Sequence, residues 1–179
     1  MRWSRVLFAS VPLICGVRLP LVAQDLCDYR PQNRVFYEEC FERSVPLAAT
    51  VVDVLLKTEE GRQGFDSLPP PDRRDVAKLF RAREVRLGPL AERDFVVIGK
   101  GVMSGADNSW FWLVRIVKGR PIAVLWIGAL EVELRDTRTN GFRDVRSHWS
   151  SAAVTETKTY RFDGRRYKCV KTRSSVRRR

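Results

Sequence analysis

The feature that most constrains the fold is a series of six or seven strand-like segments in the second half of the chain, separated by short turns. Parallel neighbours would need long crossover connections, and these turns leave no room for them. The pattern therefore predicts an antiparallel meander. The segments cover residues 95–99, 110–117, 122–128, 130–135, 142–149, 157–162 and 165–170.

Two helices are expected before the meander. Residues 46–57 place apolar side chains at helical spacing, and Asp72 is suited to cap a second helix. The second helix would bury Val76, Ala77, Leu79 and Phe80. Residues 59–71 between them hold two glycines and three consecutive prolines, which predicts a loop. The sequence thus predicts an α+β fold, with two N-terminal helices packed on one face of the sheet.

Two details of the meander follow from strand periodicity. Residues 130–135 alternate, so Leu130, Val132 and Leu134 should point inward. If Asp163-Gly164 forms a two-residue turn, Tyr160 lies opposite Tyr167.

The start of the chain is typical of an export signal. It combines a basic opening at Arg2 and Arg5, an apolar run over residues 6–17 and small Ala23 near a cleavage point. The run is shorter than the roughly 20 residues that cross a bilayer. We therefore expect a signal peptide at 1–24, a single α+β domain at 25–172, a basic tail at 173–179, and a periplasmic or extracellular protein that does not span the membrane after cleavage.

Three cysteines remain after such cleavage: Cys27, Cys40 and Cys169. Cys27 and Cys40 are close in sequence and are the predicted disulfide, while the alternative joins Cys169 to either of them. A chain with no CxxC pair and one histidine does not fit a zinc site, and we predict no metal and no cofactor.

The charge is concentrated at the C-terminus. The chain carries +12 overall, and its last 15 residues hold eight cations and no acid, so the rest of the mature chain is nearly neutral. Arg177, Arg178 and Arg179 are candidates for contact with an anionic polymer or lipid surface, and nucleic acid is not favoured for an exported protein. The alternative is a frayed terminus that binds nothing specific.

Trp110 and Trp112 are two residues apart and share one strand face. Exposed, they would form a binding platform; buried, they would belong to the core. The opposite face is also mostly apolar, so the strand is expected to be central, or covered by a helix or a partner.

His148 is the only histidine, so a nucleophilic mechanism of the serine or cysteine type would have to use it, with Asp144 or a nearby serine as partner. No GxSxG elbow is present. Catalysis is therefore the alternative interpretation, and a half-exposed strand residue the simpler one.

The segment NGFRDVRS…YRFDGRRY (residues 140–167) resembles a hairpin of uncharacterised exported bacterial proteins, and also single blade elements of FG-GAP-type propellers. The resemblance implies an exported, β-rich, non-catalytic module and identifies no functional residue. The chain lacks the repeated blades of a propeller.

Together these features predict an exported, non-enzymatic binding protein of the bacterial cell envelope, whose partner is an envelope protein or an anionic polymer or lipid surface. The rival hypotheses are a small secreted hydrolase or transferase using His148, and a structural subunit whose apolar sheet face docks onto a partner.

Overall fold

The computed structural model describes residues 34–89, 93–104 and 108–176, so the predicted signal peptide lies outside the described residues. The helices are α1 (Ala49–Leu56) and α2 (Glu59–Asp66), and short 3-10 segments cover Glu38–Phe41, Asp72–Leu79 and Gly101–Met103. The strands are β1 (Arg34–Phe36), β2 (Phe80–Val85), β3 (Arg93–Gly99), β4 (Ser109–Val117), β5 (Arg120–Ala129), β6 (Glu131–Thr139), β7 (Phe142–Ser150), β8 (Val154–Phe162) and β9 (Tyr167–Val176).

The strands form two antiparallel sheets, with orders β2-β3-β4-β5 and β1-β6-β7-β8-β9. One hydrophobic core contains residues of both sheets, and a second contains residues of α1 and the four-stranded sheet. The predicted antiparallel, α+β-like character is confirmed. The single meander with helices on its face is corrected, because the meander is divided between two stacked sheets. In the described part of the chain, α1 packs on the four-stranded sheet.

Strand β4 explains this layering. Phe111 and Leu113 point between the sheets, whereas Trp112 and Val114 point under the helices, and all four are at most 1% exposed. A strand that is apolar on both faces needs cover on both faces. Here the second sheet supplies one cover and the helical layer supplies the other.

A corner at Leu130 divides the meander. Ala129 ends β5 in the four-stranded sheet and Glu131 begins β6 in the five-stranded sheet. The Leu130 N–H donates to the His148 carbonyl at 2.7 Å, and the Leu130 side chain is 51% exposed. The inward orientation predicted for Val132 and Leu134 is confirmed, but the one for Leu130 is wrong because the chain changes sheets there.

Helix α2 occupies a segment predicted as a loop. Thr58 caps it by accepting a hydrogen bond from the Gly61 N–H, and two acidic residues follow in the first turn. Gly61 and Gly64 are sites of close approach, since an added Cβ would collide with the Leu55 carbonyl oxygen and the Met103 sulfur, respectively. Among the described residues, no helix is long and apolar enough to cross a bilayer.

The second predicted helix is also corrected. The segment Asp72–Leu79 forms 3-10 turns with a kink at Asp75, and Phe80 begins β2. Buried positions along β2 start with Phe80 and Ala82, separated by exposed Arg81, which is strand periodicity. The helical interpretation was wrong because it assigned Phe80 to the preceding segment.

The β8–β9 turn differs from the prediction as well. Phe162 pairs with Tyr167, and Tyr160 pairs with Cys169. The Asp163 carboxylate accepts the backbone N–H groups of Arg165 and Arg166 at 2.8 and 2.9 Å, so the connection takes four residues rather than two. Tyr167 therefore packs edge-on against Phe162, with ring centroids 5.3 Å apart.

One ion pair is buried between the sheets. Arg115 Nε lies 3.0 Å from Asp94 Oδ1, and the two side chains are 9% and 2% exposed. Asp94 Oδ2 also accepts the Leu87 N–H, and Arg115 donates to the Pro89 carbonyl. These bonds satisfy both charges inside the protein.

Replacing Thr58 with valine should lower the free energy of unfolding by about 2–4 kcal/mol. The Thr58 hydroxyl caps α2 and accepts the buried Trp112 indole N–H at 2.9 Å, so valine leaves that donor unsatisfied. Urea unfolding measures the change, and Thr50→Val, at an exposed position of α1, is the matched control. Equal losses in the two variants would contradict this role.

Tyr167 should make stability fall at alkaline pH. Burial raises the pKa of its phenol, whose hydroxyl donates to the Arg143 carbonyl at 2.8 Å. Above the ordinary tyrosine pKa of about 10, the unfolded chain loses this proton while the folded chain keeps it, so the free energy of unfolding decreases by up to about 1.4 kcal/mol per pH unit.

Urea unfolding between about pH 8 and pH 11 measures this slope around the ordinary tyrosine pKa. Tyr167→Phe should make the slope shallower, and Tyr160→Phe, which removes another phenol with a pKa raised by burial, should remove a further part. An unchanged slope in Tyr167→Phe would show that the phenol ionises equally well in the folded chain.

Candidate functional site

His148 and Asp144 both lie on β7, but the structure does not bring them together. They are four residues apart along an extended strand, which separates them by about 13 Å. The Asp144 carboxylate instead accepts the Thr139 hydroxyl at 2.7 Å and lies 3.8 Å from Arg161 Nε. The predicted pairing of His148 with Asp144 is therefore not formed.

His148 contacts side chains on the two neighbouring strands. Its Nδ1 lies 3.1 Å from Thr157 Oγ1 on β8, and its Nε2 lies 3.7 Å from Glu131 Oε1 on β6. The order acid, histidine, hydroxyl is that of a nucleophilic triad, but 3.7 Å is too long for a hydrogen bond. The arrangement is equally that of three residues in one cross-strand row.

The two tryptophans proposed as a binding platform belong to the core under the helices. Trp112 is fully buried and donates its indole N–H to Thr58. Trp110 is half-buried and its ring lies against Gly128. Neither ring therefore stands free as a stacking surface, which corresponds to the core alternative for this strand face.

The other predicted site residues are only partly described. Arg177, Arg178 and Arg179 lie outside the described residues, as does Cys27, so the tail contact and the disulfide between Cys27 and Cys40 stay predictions. Cys40 is buried, whereas Cys169 is an exposed free thiol, which removes the alternative bridge through Cys169. Strand β9 continues to Val176, so the first residues of the predicted tail belong to the sheet.

The outer face of the five-stranded sheet carries a basic depression over β8. Cross-strand pairing forms two rows of side chains on this face, each running from β6 to β9. Each row begins with an acid on β6, places a threonine on β8 and ends with a cation on β9. The rows are Glu131, His148, Thr157 and Arg173, and Glu133, Arg146, Thr159 and Lys171.

Short threonines between longer cations produce the depression, which we call the basic trough. It encloses about 380 Å³. Thr157 and Thr159 form its floor, and the side chains on the neighbouring strands form its walls. The complete lining is Arg135, Arg146, His148, Thr157, Thr159, Lys171 and Arg173.

The cations of the trough are incompletely neutralised. Glu133 pairs with Arg146 at 3.1 Å and lies 3.9 Å from Arg135 Nε, a buried donor with no hydrogen-bond partner in the described part of the chain. On the opposite wall, Lys171 and Arg173 form no ion pair with any described acid. The exposed side chains of Lys171 and Arg173 therefore offer donors, and the trough carries net positive charge, which suits an anionic ligand.

Part of the signal for this site is visible in the sequence. The last 15 residues hold an excess of cations, which indicates a basic last strand and tail but not a basic sheet face. The alternation of Thr157 and Thr159 on β8 is visible in the sequence as T-x-T, yet only the register of β7, β8 and β9 shows that these residues share a face with Arg146, Lys171 and Arg173. Within the described ranges, no cluster of three or more His, Cys, Asp or Glu side chains could hold a metal ion.

Comparison with known proteins adds no family to this description. No protein-family model matches the chain, and searches of curated proteins and of solved structures found no significant match.

Proposed function

We propose that this chain is an exported, non-enzymatic binding protein of the bacterial cell envelope that holds a linear anionic polymer in the basic trough. The observation that carries the proposal is the convergence of Arg135, Arg146, Lys171 and Arg173 around one depression, with Glu133 as the paired acid. The simpler view of these cations as a solvated sheet face does not account for their placement around one concave depression with a single paired acid.

The shape of the trough favours an extended ligand over a compact one. Arg146 and His148 on one wall, and Lys171 and Arg173 on the other, are each two residues apart on a strand, so neighbouring donors repeat about every 7 Å. The Thr157 and Thr159 hydroxyls between them can donate hydrogen bonds to the same ligand. A polymer with regularly spaced negative groups matches this arrangement.

The main test removes the unpaired wall of the trough. Lys171→Gln combined with Arg173→Gln should weaken binding to heparin or long-chain polyphosphate about tenfold at low salt, and should reduce the slope of log affinity against log salt by about 2. Both positions are exposed on edge strand β9, so the fold should tolerate the change. Salt-dependent titration measures affinity and slope together.

Three further variants sharpen this test. Arg62→Gln with Arg74→Gln makes the same change in net charge at exposed positions of the helical layer and should leave binding nearly unchanged. Glu133→Gln releases Arg146 and should strengthen binding. Deletion of residues 177–179 measures the contribution of the tail to polymer binding separately.

Two outcomes would contradict polymer binding in the trough. Equal losses of affinity in the two double variants would show that net charge alone causes the binding. Stronger binding to phosphatidylglycerol vesicles than to either polymer would identify a lipid surface as the partner.

The rival function is hydrolysis or group transfer through His148, which is favoured by the Thr157 hydroxyl 3.1 Å from its Nδ1. Ester, phosphate-ester and glycoside substrates should be screened with the wild type, His148→Ala and Thr157→Val. We expect that no substrate shows turnover dependent on both His148 and Thr157, because the Glu131 carboxylate is beyond hydrogen-bond distance of the His148 ring. Turnover lost in both variants would replace the binding proposal by an enzymatic one.

A further inference from the structure

A second depression lies away from the basic trough, between β5 and the β8–β9 hairpin. It encloses about 790 Å³ and adjoins a smaller one of about 260 Å³. The two share Val124, Trp126, Arg166 and Lys168, so they form one elongated cleft. The larger depression alone falls within the range of about 300–1,000 Å³ that is typical of small-molecule sites.

The wall of the cleft on β5 carries the apolar surface that a ligand could reach. It comes from exposed Ile122 and half-buried Trp126, whereas Val124 and Phe162 behind them are only 3% and 4% exposed. Ile122 is 46% exposed, so its side chain presents apolar surface that the fold leaves open. An isolated exposed aliphatic residue is ordinary on a protein surface, but here it lines a concave cleft together with the half-buried Trp126.

The opposite rim is cationic. Arg165 and Arg166 project from the four-residue turn, and Lys168 follows on β9. Asp163 is the acid of this turn, and its carboxylate is already engaged by two backbone N–H groups and by Lys168 Nζ at 3.0 Å. These interactions hold the pKa of Asp163 well below its usual range, with the backbone hydrogen bond from Arg166 as the largest cause.

The Asp163 carboxylate is therefore occupied within the turn, and the two arginine side chains keep their charge available. Neither Arg165 nor Arg166 forms an ion pair with a described acid. Deeper in the cleft, the charge of Arg115 is neutralised by Asp94. The unneutralised charge thus lies at the mouth, and the apolar surface lies beside it.

An added peptide strand is a poor occupant of this cleft. Pro121 near the start of β5 has no N–H to donate, and the register shift opposite Tyr160 leaves Val170 of β9 without a partner residue on β8. Lysines and arginines along β9 further discourage strand pairing at this edge. Both edges thus carry features that oppose β-sheet extension.

We propose that the cleft between β5 and the β8–β9 hairpin binds a single-chain amphiphile with an anionic head group. The hydrocarbon chain lies along Ile122 and Trp126, and the head group contacts Arg165 and Arg166. This cleft is separate from the basic trough, so the proposal of amphiphile binding does not depend on the proposed polymer binding.

The test uses dodecanoate, below its micelle concentration, as the probe. Calorimetry should show saturable binding of one dodecanoate per chain. Dodecyl maltoside, which keeps the chain without the charge, and acetate, which keeps the charge without the chain, should each bind at least about tenfold more weakly. Equal binding of dodecyl maltoside, or no saturable binding of dodecanoate, would overturn the proposal.

Two variants with matched controls assign the binding to the cleft. Ile122→Gln and the pair Arg165→Gln with Arg166→Gln should each weaken dodecanoate binding by about fivefold or more. Val102→Gln is the control for the first, because Val102 is also 46% exposed but lies in the Gly101–Met103 segment. Arg62→Gln with Arg74→Gln is the control for the second. Equal weakening in a variant and its control would contradict the assignment.

Cys169 provides an independent reporter. Its free thiol is exposed and lines the smaller part of the cleft. Saturating dodecanoate should slow the alkylation of Cys169 several-fold, measured by mass spectrometry of the peptide that contains it, and should not do so in Ile122→Gln. An unchanged alkylation rate in the wild type would place any bound dodecanoate elsewhere on the protein and overturn the proposal.

Discussion

The rest of the structure depends on the backbone corner at Leu130. Without it, the strands from β2 to β9 would continue as one sheet, too wide and too apolar on both faces to be covered by two short helices. The turn from Ala129 into Glu131 folds the second half of the meander over the first, so each half covers the other. The hydrogen bond from the Leu130 N–H to His148 holds the corner against β7.

This folding over decides which surfaces remain for binding. The four-stranded sheet is covered on both sides, so its tryptophans pack in the core. Among the described residues, no second layer covers the outer face of the five-stranded sheet. That face carries the basic trough. The cleft arises from the same cause, because β5 and β9 are edge strands of different sheets and no ladder joins them.

Local patterns in the sequence predicted seven of the described strands, from β3 to β9, but missed β1 and β2 and did not predict the assembly into two sheets. Alternation and turn residues located each of the seven segments, and Asn140 and Gly141 adopt the positive φ values expected of a tight turn. The change of sheet at Leu130 has no local signature in the sequence. Leu130 fits the apolar alternation of residues 130–135, yet its side chain does not point into the core. Gly61 and Gly64 led to the wrong prediction of a loop for a related reason. They allow close packing of α2, which depends on the tertiary structure. The trough depends on the register of β7, β8 and β9, so the pattern of any single strand cannot predict it.

The ordering of charges across the five-stranded sheet has a consequence for approach to a target. Acids such as Glu131 and Glu133 stand on β6, whereas Lys171 and Arg173 stand on β9, so the face is an electric dipole directed across its strands. Near a negatively charged body, the torque on that dipole would rotate the molecule before contact and bring the β9 edge in first. Orientation would then be set during diffusion rather than selected among random collisions.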